Sequence, residues 1–141
     1  MPTDKLLIRR KMALILDDMK EVERLAQVAR SEFLGETVHQ LVAERLLERI
    51  IGRMIDINYH IVTERDGVPP RDFYQSFTKL AKLGVLPGEL AETLAPAAGL
   101  RNRLAHEYNE IDHGKIYEAL GDTLLNVPRY LDAVETALGS D

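Results

Sequence analysis

Residues 36–62 read ETVHQLVAERLLERIIGRMIDINYHIV, and this stretch decides the architecture. Val38, Leu41, Val42, Leu46, Ile50, Met54, Ile57 and Ile61 recur at steps of three and four, the period of one face of an α-helix. Leu47, Ile51 and Ile55 widen that face. A helix so broadly apolar must lie in the centre of a bundle or be shared with a second subunit.

The same period extends in both directions. Upstream, Asp4 to Arg30 carries Ile8, Met12, Ile15, Met19, Val22, Ala26 and Ala29, so it is expected to form one amphipathic helix that Ser31 to Gly35 interrupts. Downstream, Asp66-Gly67 and Pro69-Pro70 mark a loop. A short helix is expected from Asp72 to Leu83, with Gly84 as its C-terminal cap. Another begins near Pro87, a favourable first-turn residue, and runs towards His106. Pro96 inside it should kink or split it. The last helix, Lys115 to Leu138, carries Ile116, Leu120, Leu124, Val127, Leu131 and Val134, with a kink expected at Pro128. Nothing alternates as a strand does. The expectation is an all-α, four-helix up-down bundle with one additional short helix, occupying residues 1–141 as a single domain.

Composition narrows the function. The chain is 45% apolar and 29% charged, a soluble balance with no run near the roughly 20 apolar residues that cross a bilayer. Its first residues lack the apolar core of a secretory signal, and it has no cysteine, so a reducing, cytoplasmic setting is expected, without thiolate metal sites. The net charge of −5 excludes a generic nucleic-acid binder, since non-specific affinity depends on neutralising phosphates with Lys and Arg. Any action on RNA needs a local basic pocket.

The informative chemistry sits in Leu100-Arg101-Asn102-Arg103-Leu104-Ala105-His106-Glu107-Tyr108. Asn102 and His106 are i, i+4 neighbours, while Arg101 and Tyr108 align two turns apart, roughly 140° away on a regular helix. Convergence requires that the helix end near His106, or that a second subunit complete the groove. The residue types suit phosphodiester cleavage without a metal. Histidine titrates near neutrality and can move a proton from a ribose 2′-hydroxyl or to a leaving oxygen. Arginine offers a planar fork of donors to phosphate oxygens. Asn102 can orient the imidazole, and Tyr108 can donate to phosphate or stack on a base. Equally, such residues near a helix end cap carbonyls and pair with acids such as Glu107 or Asp112. Residue types alone leave both readings open.

The string Arg101-Asn102-x-x-x-His106-x-Tyr108 resembles the R-x4-H-x-Y motif of HEPN-domain proteins, specifically the HepT-like toxin family. Gly84-Val85-Leu86-Pro87, Leu90-Ala91, Ala98-Gly99-Leu100, Ile111-Asp112 and Ile116-Tyr117-Glu118-Ala119-Leu120 extend the likeness over most of the chain. The resemblance implies a metal-independent endoribonuclease that forms a homodimer with its two motifs in one cleft, needs no cofactor and acts as the toxin of a toxin–antitoxin pair. It implies Arg101 and His106 as the catalytic pair and Asn102 as their support. It further implies Tyr108 as the tyrosine that a cognate MntA-type nucleotidyltransferase antitoxin modifies with AMP. Two copies of Arg101 and Arg103 in one cleft would create a local positive field for RNA, with Arg103 a contact to the substrate and Arg71, Lys79 and Lys82 as possible extensions. Solvated charge is the commoner role of those three. Within the same resemblance, the chain is alternatively a non-catalytic subunit of a minimal nucleotidyltransferase pair, binding nucleotide or substrate in the same cleft. A plain helical interaction module is the remaining class.

Other signals are weaker. Glu36-x-x-His39 and Glu110-x-x-His113 have the spacing of a di-metal bundle site, but His113 is expected in a loop before Gly114, and no metal is expected. His60 and Glu64 share a helix face as a surface pair. Asn58, Tyr59 and His60 are candidates to line a cleft opposite the motif. Met12, Met19 and Met54 fall at core positions.

Overall fold

In the computed structural model, residues 3–106 and 111–139 are described. They form Lys5–Ala26 (α1), Arg30–Leu34 (α2), Thr37–Asp66 (α3), Phe73–Lys82 (α4), Gly88–Leu94 (α5), Ala97–His106 (α6) and His113–Gly139 (α7). No strand occurs among these residues. No helix among them is long and apolar enough to cross a membrane.

The Asp4 carboxylate opens α1 by accepting from the Leu7 N–H at 3.0 Å, satisfying a donor with no partner inside the helix. Ile8, Met12, Ile15, Met19 and Val22 are buried as their spacing requires. The helix ends at Ala26, short of the expected Arg30, and Ala29 is exposed. The Tyr117 hydroxyl donates to the Val28 carbonyl oxygen at 2.6 Å, replacing a partner inside the helix. The chain then restarts as α2, which buries Phe33 completely, 5.2 Å from the Tyr117 ring.

Helix α3 runs past Val62 to Asp66, where Gly67, at φ +81°, supplies the left-handed residue that ends it. Gly84 does the same after α4. With φ +78° it lets the Val85 N–H reach back to the Leu80 carbonyl at 2.8 Å. Pro96 falls between α5 and α6, so the expected kink is a complete split. In contrast, α7 continues through Pro128. Short helices α2 and α5 thus join the expected α4. His113 is the first residue of α7 rather than part of a loop.

Side-chain pairs fix the directions. The Asp4 N–H donates to His60 Nε2 at 3.1 Å. Further along α1, buried Asp18 meets Arg49 at 3.2 Å and Arg53 at 2.8 Å. Helices α1 and α3 are therefore antiparallel. His113 faces Glu44 at 3.9 Å, and Tyr130, later in α7, reaches the Met54 carbonyl at 3.1 Å. Helices α3 and α7 are therefore parallel, as an up-down-up-down order of α1, α3, α6 and α7 requires. The core lies between them, with Leu46, Leu47, Ile50, Ile51, Met54, Ile55, Ile57 and Ile61 of α3 all buried.

Asn58 belongs to that core and does not line a cleft. It is fully buried, donates to Ser76 Oγ at 3.1 Å, and accepts from the Tyr130 hydroxyl at 2.6 Å. Burial pushes the Tyr130 phenol well above its ordinary pKa. One polar chain thereby ties α7, α3 and α4 together. The start of α3 is different, because Val38 and Leu41 are 62% and 60% exposed and Val42 is also exposed. This long helix is central over most of its length and offers an uncovered apolar strip at its beginning.

Candidate active site

Buried Ala98 and Leu104 seat α6 against the bundle, and that seating aims successive polar side chains in different directions. Arg101 is half-buried and points towards α3 and α4. Its guanidinium carbon lies 5.6 Å from the centroid of the Phe73 ring, within range of a cation–π contact. Phe73 in turn meets Tyr59 edge-on, with centroids 6.0 Å apart. These residues, with Gly52, Ile55 and Asp56, enclose a cavity of about 280 Å³.

The cavity is suited to an anion. Among the described residues, no carboxylate lies within 4.0 Å of the Arg101 guanidinium. Asp56, on the rim, is drawn instead to Lys11 at 3.5 Å. A Cβ at Gly52 would meet nothing within 4 Å, so this glycine leaves open space on the outer face of α3. Burial, and then the charge of Asp72, raise the Tyr59 pKa.

Asn102 is exposed and lines a neighbouring concavity with Tyr59, Phe73 and Tyr74. Arg103 diverges from both. It lines a separate hollow of about 380 Å³ with Lys115 and Asp112 at the start of α7. Its Nη1 would lie 3.5 Å from a Cβ at Gly99. His106 is exposed at the last described residue of α6 and lines none of these three concavities. Tyr108, Glu107 and Glu110 lie outside the described residues. Within one chain, then, Arg101 and Asn102 share a wall, while Arg103 and His106 stand apart from it.

The remaining polar candidates have local roles. Glu36 caps α3, its Oε1 accepting from the Val38 N–H at 3.2 Å. His60 accepts from the N-terminus of α1. Lys79 pairs with Asp66 at 3.0 Å, and Lys82 is exposed. Among the described residues, no group of three potential ligands could hold a metal ion. Sequence reasoning missed Phe73, Gly52 and Asp56. The available signals were a glycine in the middle of a strongly apolar helix and a Phe-Tyr pair directly after a Pro-Pro loop.

Comparison with known proteins adds an independent line. Residues 15–134 match the family model described as ribonuclease HepT-like. The tRNA nuclease HepT of Aphanizomenon flos-aquae (strain 2012/KM1/D3) is 31% identical over 135 residues, spanning 96% of this chain and 92% of that protein. The solved structure of the tri-AMPylated Shewanella oneidensis HEPN toxin, in complex with an MNT antitoxin, superposes with a TM-score of 0.82 at 25% identity. That match covers 92% of this chain and 96% of the toxin. A cytosolic protein of unknown function from Bacillus subtilis, YutE, superposes equally well, with a TM-score of 0.82 at 13% identity. It shares the fold alone.

Proposed function

The chain belongs to the ribonuclease HepT-like family, within the HEPN superfamily, and from that premise we propose that it is a dimeric endoribonuclease, the toxin of a toxin–antitoxin pair, cutting RNA without a metal. The observation that carries this reading is Arg101. Its guanidinium is half-buried, held over Phe73, unpaired with any described carboxylate and facing an open cavity. A planar cation so placed is a clamp for a phosphate.

In the proposed reaction the ribose 2′-oxygen attacks the adjacent phosphorus, and the bond to the 5′-oxygen breaks. The products are a 2′,3′-cyclic phosphate and a free 5′-hydroxyl. His106 takes the 2′-hydroxyl proton or returns one to the leaving oxygen, while Arg101 offsets the charge that builds on the phosphoryl oxygens. Asn102 supports the site, and Arg103 contacts the RNA chain from its own hollow. Because His106 does not share the Arg101 cavity in one chain, two copies facing each other complete the site. The uncovered strip of Val38, Leu41 and Val42 on α3 supports such a pairing, since apolar side chains so exposed gain by burial against a second copy. The whole chain acts as one domain in this arrangement.

The partner is an MNT-type nucleotidyltransferase antitoxin, as in the Shewanella complex. Its product on this chain is AMP joined to the Tyr108 phenol oxygen, formed at the α-phosphate of ATP with release of pyrophosphate. The added phosphate brings negative charge to the site that must hold RNA.

The test is RNA cleavage by purified protein in excess chelator, beside the His106→Ala variant. Cleavage by the wild type alone, leaving 2′,3′-cyclic phosphate ends, is the expected result. Intact RNA with folded wild type overturns the ribonuclease reading, and equal cleavage by both proteins overturns the role of His106.

A further inference from the structure

On the far side of the Tyr59–Phe73 wall lies a concavity of about 580 Å³, bounded also by Arg71, Asp72, Tyr74 and Asn102. We propose that it seats a nucleobase of the bound RNA, with the Tyr74 ring as the stacking surface, Arg71 reaching the next phosphate and Asn102 meeting the base edge. This rests on the ribonuclease reading above and adds to it the place where the enzyme holds the nucleoside beside the scissile bond.

The three aromatic rings here are used differently. Phe73 already has the Arg101 guanidinium over it and Tyr59 at its edge. Tyr74, its neighbour in the first turn of α4, is 52% exposed and has no ring partner among the described residues. The buried face of α4 is supplied by Ser76, Phe77 and Leu80, so packing does not require an aromatic at position 74. Opposite it, α6 contributes only the methyl group of Ala98 and the bare backbone of Gly99, which leave the concavity open.

The polar groups around the concavity suit a nucleotide. The Asn102 amide offers both a donor and an acceptor. One oxygen of Asp72 is committed to capping α4, accepting from the Gln75 N–H at 2.7 Å. Arg71 is held only loosely by the other, at 3.8 Å, and its side chain is 80% exposed, so a phosphate can recruit it. Arg101 and Asn102 are consecutive, their Cα atoms about 3.8 Å apart, yet they line opposite sides of the wall. The two hollows share the Tyr59–Phe73 wall, so a phosphate on Arg101 and the base of an adjoining nucleoside against Tyr74 would lie on its two sides.

The experiment measures binding of a fluorescein-labelled single-stranded RNA, chosen because the wild type cleaves it, to the non-cleaving His106→Ala protein with and without Tyr74→Ala. Loss of one base stack weakens binding roughly 5- to 150-fold, and Tyr74→Phe, which keeps the ring, retains the affinity. RNA with one abasic nucleotide beside the cleavage point shows the same loss, and no further loss when combined with Tyr74→Ala. If the wild type cleaves but Tyr74→Ala binds like its parent, or Tyr74→Phe is as weak as Tyr74→Ala, the subsite is wrong and the ribonuclease reading stands. If the wild type cleaves no RNA, both fall.

Discussion

The guanidinium of Arg101 and the ring of Phe73 lie 5.6 Å apart, and they come from different parts of the architecture. Arg101 stands on a bundle helix, α6. Phe73 opens α4, a ten-residue helix in the crossover between α3 and α6. The proposed phosphate clamp is thus steadied by a ring from the crossover and not from one of the four bundle helices.

Replacing Phe73 by leucine keeps apolar bulk and removes the ring face. A cation–π contact at a partly exposed site contributes roughly 0.5–2 kcal/mol. The expected result is a fall in the cleavage rate constant of about 2-fold to 30-fold, with the melting temperature lowered by only a few degrees. Unchanged cleavage kinetics in Phe73→Leu would show that Arg101 needs no support from α4.

Gly52 gives a prediction of opposite sign. Glycine inside a helix costs roughly 0.5–1 kcal/mol relative to alanine, and a Cβ here meets nothing within 4 Å. Gly52→Ala is expected to stabilise the fold by about that amount in urea titration. Gly52→Leu is expected to fold yet lose most of its cleavage, because the larger side chain enters the Arg101 cavity. A Gly52→Leu protein with wild-type turnover would remove that cavity from the active site.

The apolar strip on α3 bears on assembly. Leu41→Asp, at a position 60% exposed, leaves the core untouched and so should preserve helicity. Sedimentation equilibrium should show dimer for the wild type and monomer for the variant, with cleavage falling in parallel. A variant that sediments as a dimer places the contact elsewhere.

Two carboxylates respond to pH in opposite directions. The Arg9 hydrogen bond, together with its charge, holds Glu135 below its usual pKa. Its contribution to stability is present above the ordinary carboxylate range and is lost as pH falls through the lowered value. Burial raises Glu44, with His113 partly opposing, so its contribution is present in acid and lost as pH rises through the raised value. At neutral pH, Glu135→Gln should lower the melting temperature slightly. Glu44→Gln should raise stability by less than about 1 kcal/mol. In acid strong enough to protonate both carboxylates, each variant should melt with the wild type, and a difference that persists there would point to packing instead.

Much of the fold was legible because periodicity and chain breakers are local. The buried row of α3, the split at Pro96 and the turn at Gly84 all follow from residues within one or two turns of the feature. What was not legible depends on distant partners. Nothing near Gln27 stops α1, whose end involves the hydroxyl of Tyr117. Likewise, Asp18 reads as a surface acid until Arg49 and Arg53 bring it inside. At Pro128 the helix is not broken, because a proline on the exposed side of a long packed helix gives up one hydrogen bond while the surrounding contacts persist. For the site, helix spacing grouped Asn102 with His106 and set Arg101 apart, whereas the structure puts Arg101 and Asn102 in neighbouring hollows on either side of the Tyr59–Phe73 wall. The Phe73 support and the divergence of Arg103 needed the packing of α4 and α7 against α6. Tyr108 lies outside the described residues.

The polar chain from Tyr130 through Asn58 to Ser76 ends at the Phe73 carbonyl, which accepts from Ser76 Oγ at 2.7 Å. The backbone beneath Arg101's ring support is thus fastened to the interior by a short series of hydrogen bonds, beside the buried Phe77 and Leu80 of the same ten-residue helix. Warming loosens the smaller unit first when cooperative segments differ in stability. Where the crossover opens before the bundle, the proposed cleavage would cease while the chain is still almost fully helical, so its loss with heat would report on the crossover and not on melting of the bundle.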